Sequence, residues 1–161
     1  MMYLGPANLL GKCKPSVIDV GCGDGLGYHT LVMHEAVSTY FGIDKSTSDI
    51  RAANQYLISN KHAFACGDWL EYPEDDLQPA DFVFCIEVLE HLAKEATLPF
   101  VEKCKRFMKK NIFLSTPPAD RNKHGTFTVP ECRALLQSIG LNVVTVDIQR
   151  TTLYICEAAG R

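Results

Sequence analysis

The stretch that decides the fold is Val17-Ile18-Asp19-Val20-Gly21-Cys22-Gly23-Asp24-Gly25. Its apolar first half predicts a short strand that is buried on both faces. The three glycines at alternate positions allow a sharp backbone turn and let a ligand lie against bare peptide. A helix is predicted next, at about 28–37, so its free N–H groups would face the same ligand.

The spacing of these glycines separates two kinds of nucleotide site. The dinucleotide-binding fingerprint needs G-x-G-x-x-G, but counting from Gly21 or Gly23 places Leu26 or Tyr28 at the last glycine position. The order found is D-x-G-x-G-x-G, with Asp19 two residues before the first glycine. This order resembles the first motif of class I S-adenosylmethionine-dependent methyltransferases. An acid suits that cofactor, which carries an ammonium and a sulfonium and has no pyrophosphate.

Composition is that of an ordinary globular protein. The 161 residues predict one domain, 1–161, whose first 15 residues form a short lead segment. No apolar run reaches the length of a membrane span and no signal-peptide pattern opens the chain, so a cytoplasmic protein is predicted. The seven cysteines show no C-x-x-C pair, and we interpret them as reduced, mostly buried thiols.

Charge is distributed unevenly along the chain. Residues 1–80 hold five Lys/Arg and ten Asp/Glu, whereas residues 81–161 hold eleven and nine. The acidic half contains the candidate site for a cationic cofactor. Most of the basic residues at 103, 105, 106, 109 and 110 are predicted to form the solvated face of a helix, and a nucleic-acid surface is the less favoured interpretation.

Strands and helices alternate along the chain. Strands are predicted at 16–21, 39–43, 63–66, 81–86, 111–115, 142–148 and 151–156. Helices are predicted at about 28–37, 47–59, 98–109 and 129–139. Capping patterns mark two helix starts, at Ser46 and Thr128, and Gly140 marks one end.

The last two predicted strands are joined by two residues only, which requires an antiparallel pair, whereas the earlier alternation predicts a parallel sheet. The fold class expected is therefore α/β: a Rossmann-like class I methyltransferase fold with a seven-stranded, mostly parallel sheet, an antiparallel C-terminal hairpin and no cap domain.

The resemblance extends to the other strand ends. Asp44 ends the second predicted strand, 19 residues after Gly25. An acid at about this separation from the glycines meets the ribose hydroxyls, and a carboxylate can accept both hydrogen bonds of a diol. After the third strand, the resemblance implies that Asp68 receives the adenine amino group and Trp69 lies against the ring. Taken singly, Asp44 could be a helix cap and Trp69 a core residue. The residues implied to bind S-adenosylmethionine are Asp19, Gly21, Cys22, Gly23, Asp44, Lys45, Asp68, Trp69 and Glu87.

The string Glu87-Val88-Leu89-Glu90-His91 follows the fourth predicted strand. E-x-x-E-H at this place resembles ubiquinone-pathway O-methyltransferases and small-RNA 3′-terminal ribose methyltransferases, in which it is associated with a divalent metal. On a helical turn Glu87, Glu90 and His91 would share a face, and His124 is a candidate fourth ligand. Carboxylates and imidazole suit such a cation, but the same string also occurs in methyltransferases that need no metal.

The function predicted is methyl transfer from S-adenosylmethionine to an oxygen or nitrogen of an acceptor, with a small molecule slightly favoured. Glu87 and His91 are the candidate general bases, although positioning is expected to supply most of the rate. The alternatives left open are an RNA- or protein-directed enzyme and a cofactor-binding subunit without activity. Only short segments border the predicted site, so a homodimer or a protein partner could close it.

Overall fold

The computed structural model describes residues 14–117, 127–148 and 151–160. The strands are β1 (Ser16–Val20), β2 (Thr39–Asp44), β3 (His62–Cys66), β4 (Ala80–Cys85), β5 (Met108–Thr116), β6 (Leu141–Ile148) and β7 (Thr151–Ala158). The α-helices are α1 (Leu26–Met33), α2 (Thr47–Ala53), α3 (Lys94–Phe107) and α4 (Val129–Ser138). Single 3-10 turns lie at Asn54–Tyr56, Glu74–Asp76 and Leu89–His91.

The strands form one sheet in the order β3-β2-β1-β4-β5-β7-β6. Strands β1 to β5 pair in parallel, and β7 pairs antiparallel with both β5 and β6. The predicted α/β class, the mostly parallel sheet and the C-terminal hairpin are therefore confirmed. Strand order reverses at β1, because the chain adds β2 and β3 on one side of β1 and then crosses over to add β4 on the other side. α/β proteins bind ligands at such a point, beyond the carboxyl ends of the strands.

Both faces of the sheet are covered, as the apolar strands predicted. Successive residues of β4 alternate between the two sides: Val83 and Cys85 pack with the cluster under α3 and α4, and Phe84 packs with the cluster under α1. Asp19 is the charged member of β1 and is fully buried. None of the described helices is long and apolar enough to cross a membrane.

Local capping signals are confirmed at both predicted helix starts. Ser46 Oγ accepts the Asp49 N–H at 3.3 Å, and Thr128 forms a complete capping box with Glu131. Gly140 follows α4 with φ +74°, the left-handed conformation that commonly ends a helix.

Three helices have a boundary that differs from prediction by four or more residues. Helix α1 ends at Met33 because Glu35 takes φ +48° and the Ala36 N–H turns back to the Leu31 carbonyl. Helix α2 passes into a 3-10 turn after Ala53, where the Asn54 side-chain amide donates to the Ile50 carbonyl.

Helix α3 begins at Lys94, four residues before its predicted start, with Pro99 inside it. The predicted start at residue 98 was therefore wrong. The predicted basic helix face is also wrong for three of its five residues, because Lys109 and Lys110 belong to β5 and Lys103 is buried.

Candidate active site

A cavity of about 440 Å³ opens where β1, β2, β3 and β4 end. The parallel pairing brings these four carboxyl ends to one edge of the sheet, so residues far apart in sequence meet there. Six of the nine predicted cofactor residues line the cavity: Gly21, Asp44, Lys45, Asp68, Trp69 and Glu87. His91, the second candidate base, also lines it.

The other three predicted cofactor residues, Asp19, Cys22 and Gly23, do not line the cavity. Asp19 is fully buried, and its carboxylate accepts a hydrogen bond from the Tyr40 hydroxyl. Burial raises the pKa of the Cys22 thiol well above its usual range, so this thiol stays protonated. Asp19, Cys22 and Gly23 are thus placed to shape the loop rather than to form the cavity lining. His124 lies outside the described residues.

Asp44 is held in place by the backbone on both sides. Its Oδ2 accepts the Gly23 N–H at 3.0 Å, and its Oδ1 accepts the Ser46 N–H at 2.8 Å. The Gly67 N–H donates to the Asp44 carbonyl at 2.9 Å, which ties the next strand end to the same residue. Each carboxylate oxygen keeps a further lone pair, so Asp44 can still accept hydrogen bonds from a ligand in the cavity.

The segment after β3 supplies the opposite wall. Asp68 Oδ1 accepts the Leu70 N–H at 2.9 Å, which forms a tight turn. Trp69 is only 3% exposed, and its indole packs edge-on against Phe107 with ring centroids 6.0 Å apart. One flat aromatic side chain beside a carboxylate is an arrangement that suits a planar base with an exocyclic amino group.

Glu87 carries an unusual backbone conformation at the mouth of the cavity. Its φ is +58°, a left-handed value that costs energy for a residue with a side chain. Its N–H donates at 2.8 Å to the hydroxyl of Ser115, which is fully buried in β5. The neighbouring strand therefore fixes the direction in which the Glu87 side chain leaves the sheet.

The predicted helical turn of the E-x-x-E-H string is wrong. Glu87 precedes the 3-10 turn at Leu89–His91 and departs from helical angles, so the i, i+3 and i, i+4 spacings do not bring its side chain over Glu90 and His91. Glu90 is 9% exposed and does not line the cavity, whereas Glu87 and His91 do. Across residues 14–117, 127–148 and 151–160, no three side chains of metal-ligating type come together. The positions of Glu87, Glu90 and His91 therefore do not fit the predicted metal site.

Glu90 instead behaves as a buried carboxyl group. Burial, followed by the charge of Glu87, raises its pKa, and within the described residues its Oε2 has no hydrogen-bond partner. Because the folded protein then binds this proton more tightly than the unfolded chain, the free energy of unfolding falls as pH rises from about 4.3 through the folded pKa.

Replacing Glu90 with glutamine is expected to raise the free energy of unfolding at pH 7.5 by about 1 kcal/mol, because a neutral amide avoids burying a charge. The variant should also lose part of the pH dependence above about pH 4.3. Urea denaturation at several pH values measures both effects, with the exposed Glu95→Gln in α3 as the matched control. Loss of activity and of chelator sensitivity together in Glu90→Gln would contradict this and support the metal prediction.

Several residues of the site had no recognisable signal in the sequence. Ile43, Gly67, Leu92 and Phe100 line the cavity although no motif marks them, and Val20 and Val88 lie within the quoted motifs but were not predicted as site residues. Tyr40 and Ser115 act from neighbouring strands on Asp19 and Glu87. Strand pairing brings these groups together, and a sequence pattern within one strand does not predict which residues of the neighbouring strand lie beside it.

Comparison with known proteins gives consistent matches. A family described as a methyltransferase domain matches residues 18–114. A ubiquinone biosynthesis O-methyltransferase from Haemophilus ducreyi is 32% identical over 122 residues, which cover 67% of this chain and 46% of the relative. The chain thus spans less than half the length of this relative.

Two solved structures have closely similar folds. The methyltransferase domain of a bacterial Hen1 superposes with a TM-score of 0.83 at 19% identity, covering 99% of this chain and 97% of that one. Magnesium protoporphyrin IX methyltransferase from Synechocystis PCC 6803, solved with bound S-adenosylmethionine, gives a TM-score of 0.78 at 18% identity. The superposition covers 98% of this chain and 78% of that one.

Proposed function

The chain belongs to the methyltransferase domain family, as the sequence resemblance predicted, and on this premise we propose that it transfers a methyl group from S-adenosylmethionine to an oxygen or nitrogen of its acceptor. One observation carries the proposal. Asp44, Asp68 and Trp69, which follow two successive strands, line a single cavity beside the glycine loop. The cavity thereby offers acceptors for a diol and for an amino group together with an aromatic face.

In the proposed complex, the parts of the cofactor lie against the ends of neighbouring strands. The Asp44 carboxylate accepts the two ribose hydroxyls, and Asp68 and Trp69 hold the adenine. Gly21 lies on the wall nearest β1, where its backbone leaves room for the methionine part of the cofactor. Carboxylates at positions 44, 68 and 87 favour a ligand that carries a positive charge at sulfur and at its amino group.

The proposed reaction is a direct displacement. A lone pair on the acceptor oxygen or nitrogen forms a bond to the methyl carbon, and the carbon–sulfur bond breaks with its electrons remaining on sulfur. The sulfonium becomes a neutral thioether, and the acceptor loses one proton to a base. Glu87 and His91 line the cavity and are the candidate bases. Alignment of acceptor, methyl carbon and sulfur supplies the larger part of the rate.

We place a hydroxyl group of a small molecule first among the acceptors. The sequence relative that aligns over two thirds of this chain is an O-methyltransferase. Leu92 and Phe100 are apolar residues of the cavity wall, which suits the body of an organic acceptor. RNA-directed and protein-directed transfer, and a cofactor-binding subunit without transfer, are the alternatives.

The experiment that tests the proposal has two steps. Calorimetry with S-adenosylhomocysteine first asks whether the folded chain binds the cofactor product, and the absence of heat at millimolar ligand would refute the proposal. Methyl-labelled S-adenosylmethionine is then incubated with pools of phenolic small molecules, RNA and protein. Label in the small-molecule pool supports our choice, and label elsewhere reassigns the acceptor. Binding without transfer to any pool would indicate the cofactor-binding subunit.

Replacing Glu87 with glycine is expected to raise the free energy of unfolding by about 1 kcal/mol, because glycine adopts φ +58° without strain. Methyl transfer should fall by about 100-fold if Glu87 is the base. Glu35→Gly is the matched control, since Glu35 has φ +48° and its exposed carboxylate forms an ion pair with the exposed Lys14. That variant should gain stability and keep activity. Full transfer by Glu87→Gly would remove Glu87 from the proposed reaction and leave His91.

A further inference from the structure

Helix α3 buries a lysine where its sequence predicted a solvated face. Lys103 is only 3% exposed. Its ammonium donates to the Tyr72 carbonyl at 2.6 Å and to the Leu70 carbonyl at 3.3 Å. Burying an ammonium is costly unless its donors are satisfied, and here backbone carbonyls of the segment after β3 satisfy them.

The same ammonium lies over the aromatic wall of the cavity. Lys103 Nζ is 5.1 Å from the centre of the Trp69 ring, within the range of a cation–π interaction. Trp69 lines the cavity and also packs against Phe107 of α3. The ring therefore contacts a cation and an aromatic side chain that both belong to one helix.

The two carbonyls that Lys103 binds belong to residues that also hold Asp68. The Leu70 N–H donates to Asp68 Oδ1, and the Tyr72 N–H donates to the Asp68 carbonyl, both at 2.9 Å. Leu70 and Tyr72 thus bind Asp68 through their N–H groups and Lys103 through their carbonyls. Fixing these two residues fixes the direction of the Asp68 carboxylate.

We propose that Lys103 is a positioning residue for the half of the cavity that holds the adenine. It acts through Asp68 and Trp69 and does not itself line the cavity. This inference rests on the proposed function, because it assigns the two residues to the adenine of S-adenosylmethionine. Prior fixing of both groups lowers the entropy that ligand binding would otherwise lose.

The test uses Lys103→Met, which keeps the length of the side chain and removes its charge and its donors. Trp69 is the one tryptophan of the chain, so its fluorescence reports on this wall alone. We expect a shifted emission maximum, stronger acrylamide quenching and about tenfold weaker binding of S-adenosylhomocysteine. Adenosine, which contains only the adenine and ribose, should lose affinity by the same factor. Lys103→Gln, which retains donors, should show smaller effects and serves if Lys103→Met does not fold.

Lys105→Met is the matched control, because Lys105 lies on the same helix and donates to the Ile139 carbonyl at 2.6 Å, away from this segment. It should keep the emission and both affinities. Failure of the wild-type chain to bind S-adenosylhomocysteine would overturn the proposed function together with the adenine assignment. Binding by the wild type, with unchanged affinity and emission in the folded Lys103 variants, would overturn the positioning role alone. Lower stability with unchanged affinity would also overturn it, since that is the result of a purely structural role.

Discussion

Replacing Asp44 with alanine is expected to weaken S-adenosylhomocysteine binding by about 100-fold, the largest change in affinity that we predict for one side chain. The ribose hydroxyls would lose a charged acceptor. The Gly23 and Ser46 N–H groups would also lose the carboxylate that they share. The glycine loop would then lose one of its bonds to β2, while the Gly21 and Cys22 N–H groups keep theirs to the Ile43 carbonyl. Calorimetry with the purified variant measures the change.

The control for this prediction is Asp75→Ala. Asp75 is exposed in the 3-10 turn at Glu74–Asp76 and does not line the cavity. Its replacement by alanine therefore removes the same charge without changing the site. Its affinity should equal that of the wild type. If Asp44→Ala and Asp75→Ala bind S-adenosylhomocysteine equally well, Asp44 does not contact the ribose and the cofactor is placed wrongly.

Replacing Gly21 with alanine is expected to lower the free energy of unfolding by about 3 kcal/mol. Two costs add at this position. Gly21 has φ +77°, and a Cβ atom built there would lie 2.4 Å from Val88 Cγ2. Valine is branched at Cβ and has few rotamers with which to move away. Because Val88 lines the cavity, its displacement should also weaken cofactor binding.

Gly23→Ala separates the two costs. Gly23 has φ +54°, but a Cβ atom there would meet nothing within 4 Å, so only the backbone penalty of about 1–2 kcal/mol applies. The double variant Gly21→Ala/Val88→Ala should recover part of the loss, since the methyl group that collides is removed. Thermal and urea denaturation of the three variants measure these differences. Equal destabilisation by Gly21→Ala and Gly23→Ala would show that the contact with Val88 has no effect.

The sequence alone predicted the order of the elements and which residues lie near the carboxyl ends of the strands. The glycine loop, the short apolar strands and the two-residue connection before β7 predicted the sheet and its hairpin. The capping residues Ser46 and Thr128 predicted two helix starts. Asp44, Asp68 and Trp69 could be proposed because the carboxyl ends of parallel strands meet at one edge. All of these signals act over a few residues along the chain.

Only the tertiary structure decided the orientation and burial of individual side chains. Asp19 belongs to the predicted motif but is covered by Tyr40 of the neighbouring strand. Glu87 leaves the expected helical turn because Ser115 of β5 binds its N–H. Lys103 lies among basic residues in sequence, yet the segment after β3 buries it. In each case the partner comes from a distant part of the chain, and strand pairing or helix packing brings it within hydrogen-bonding distance. No local pattern of charge or hydrophobicity contains that information.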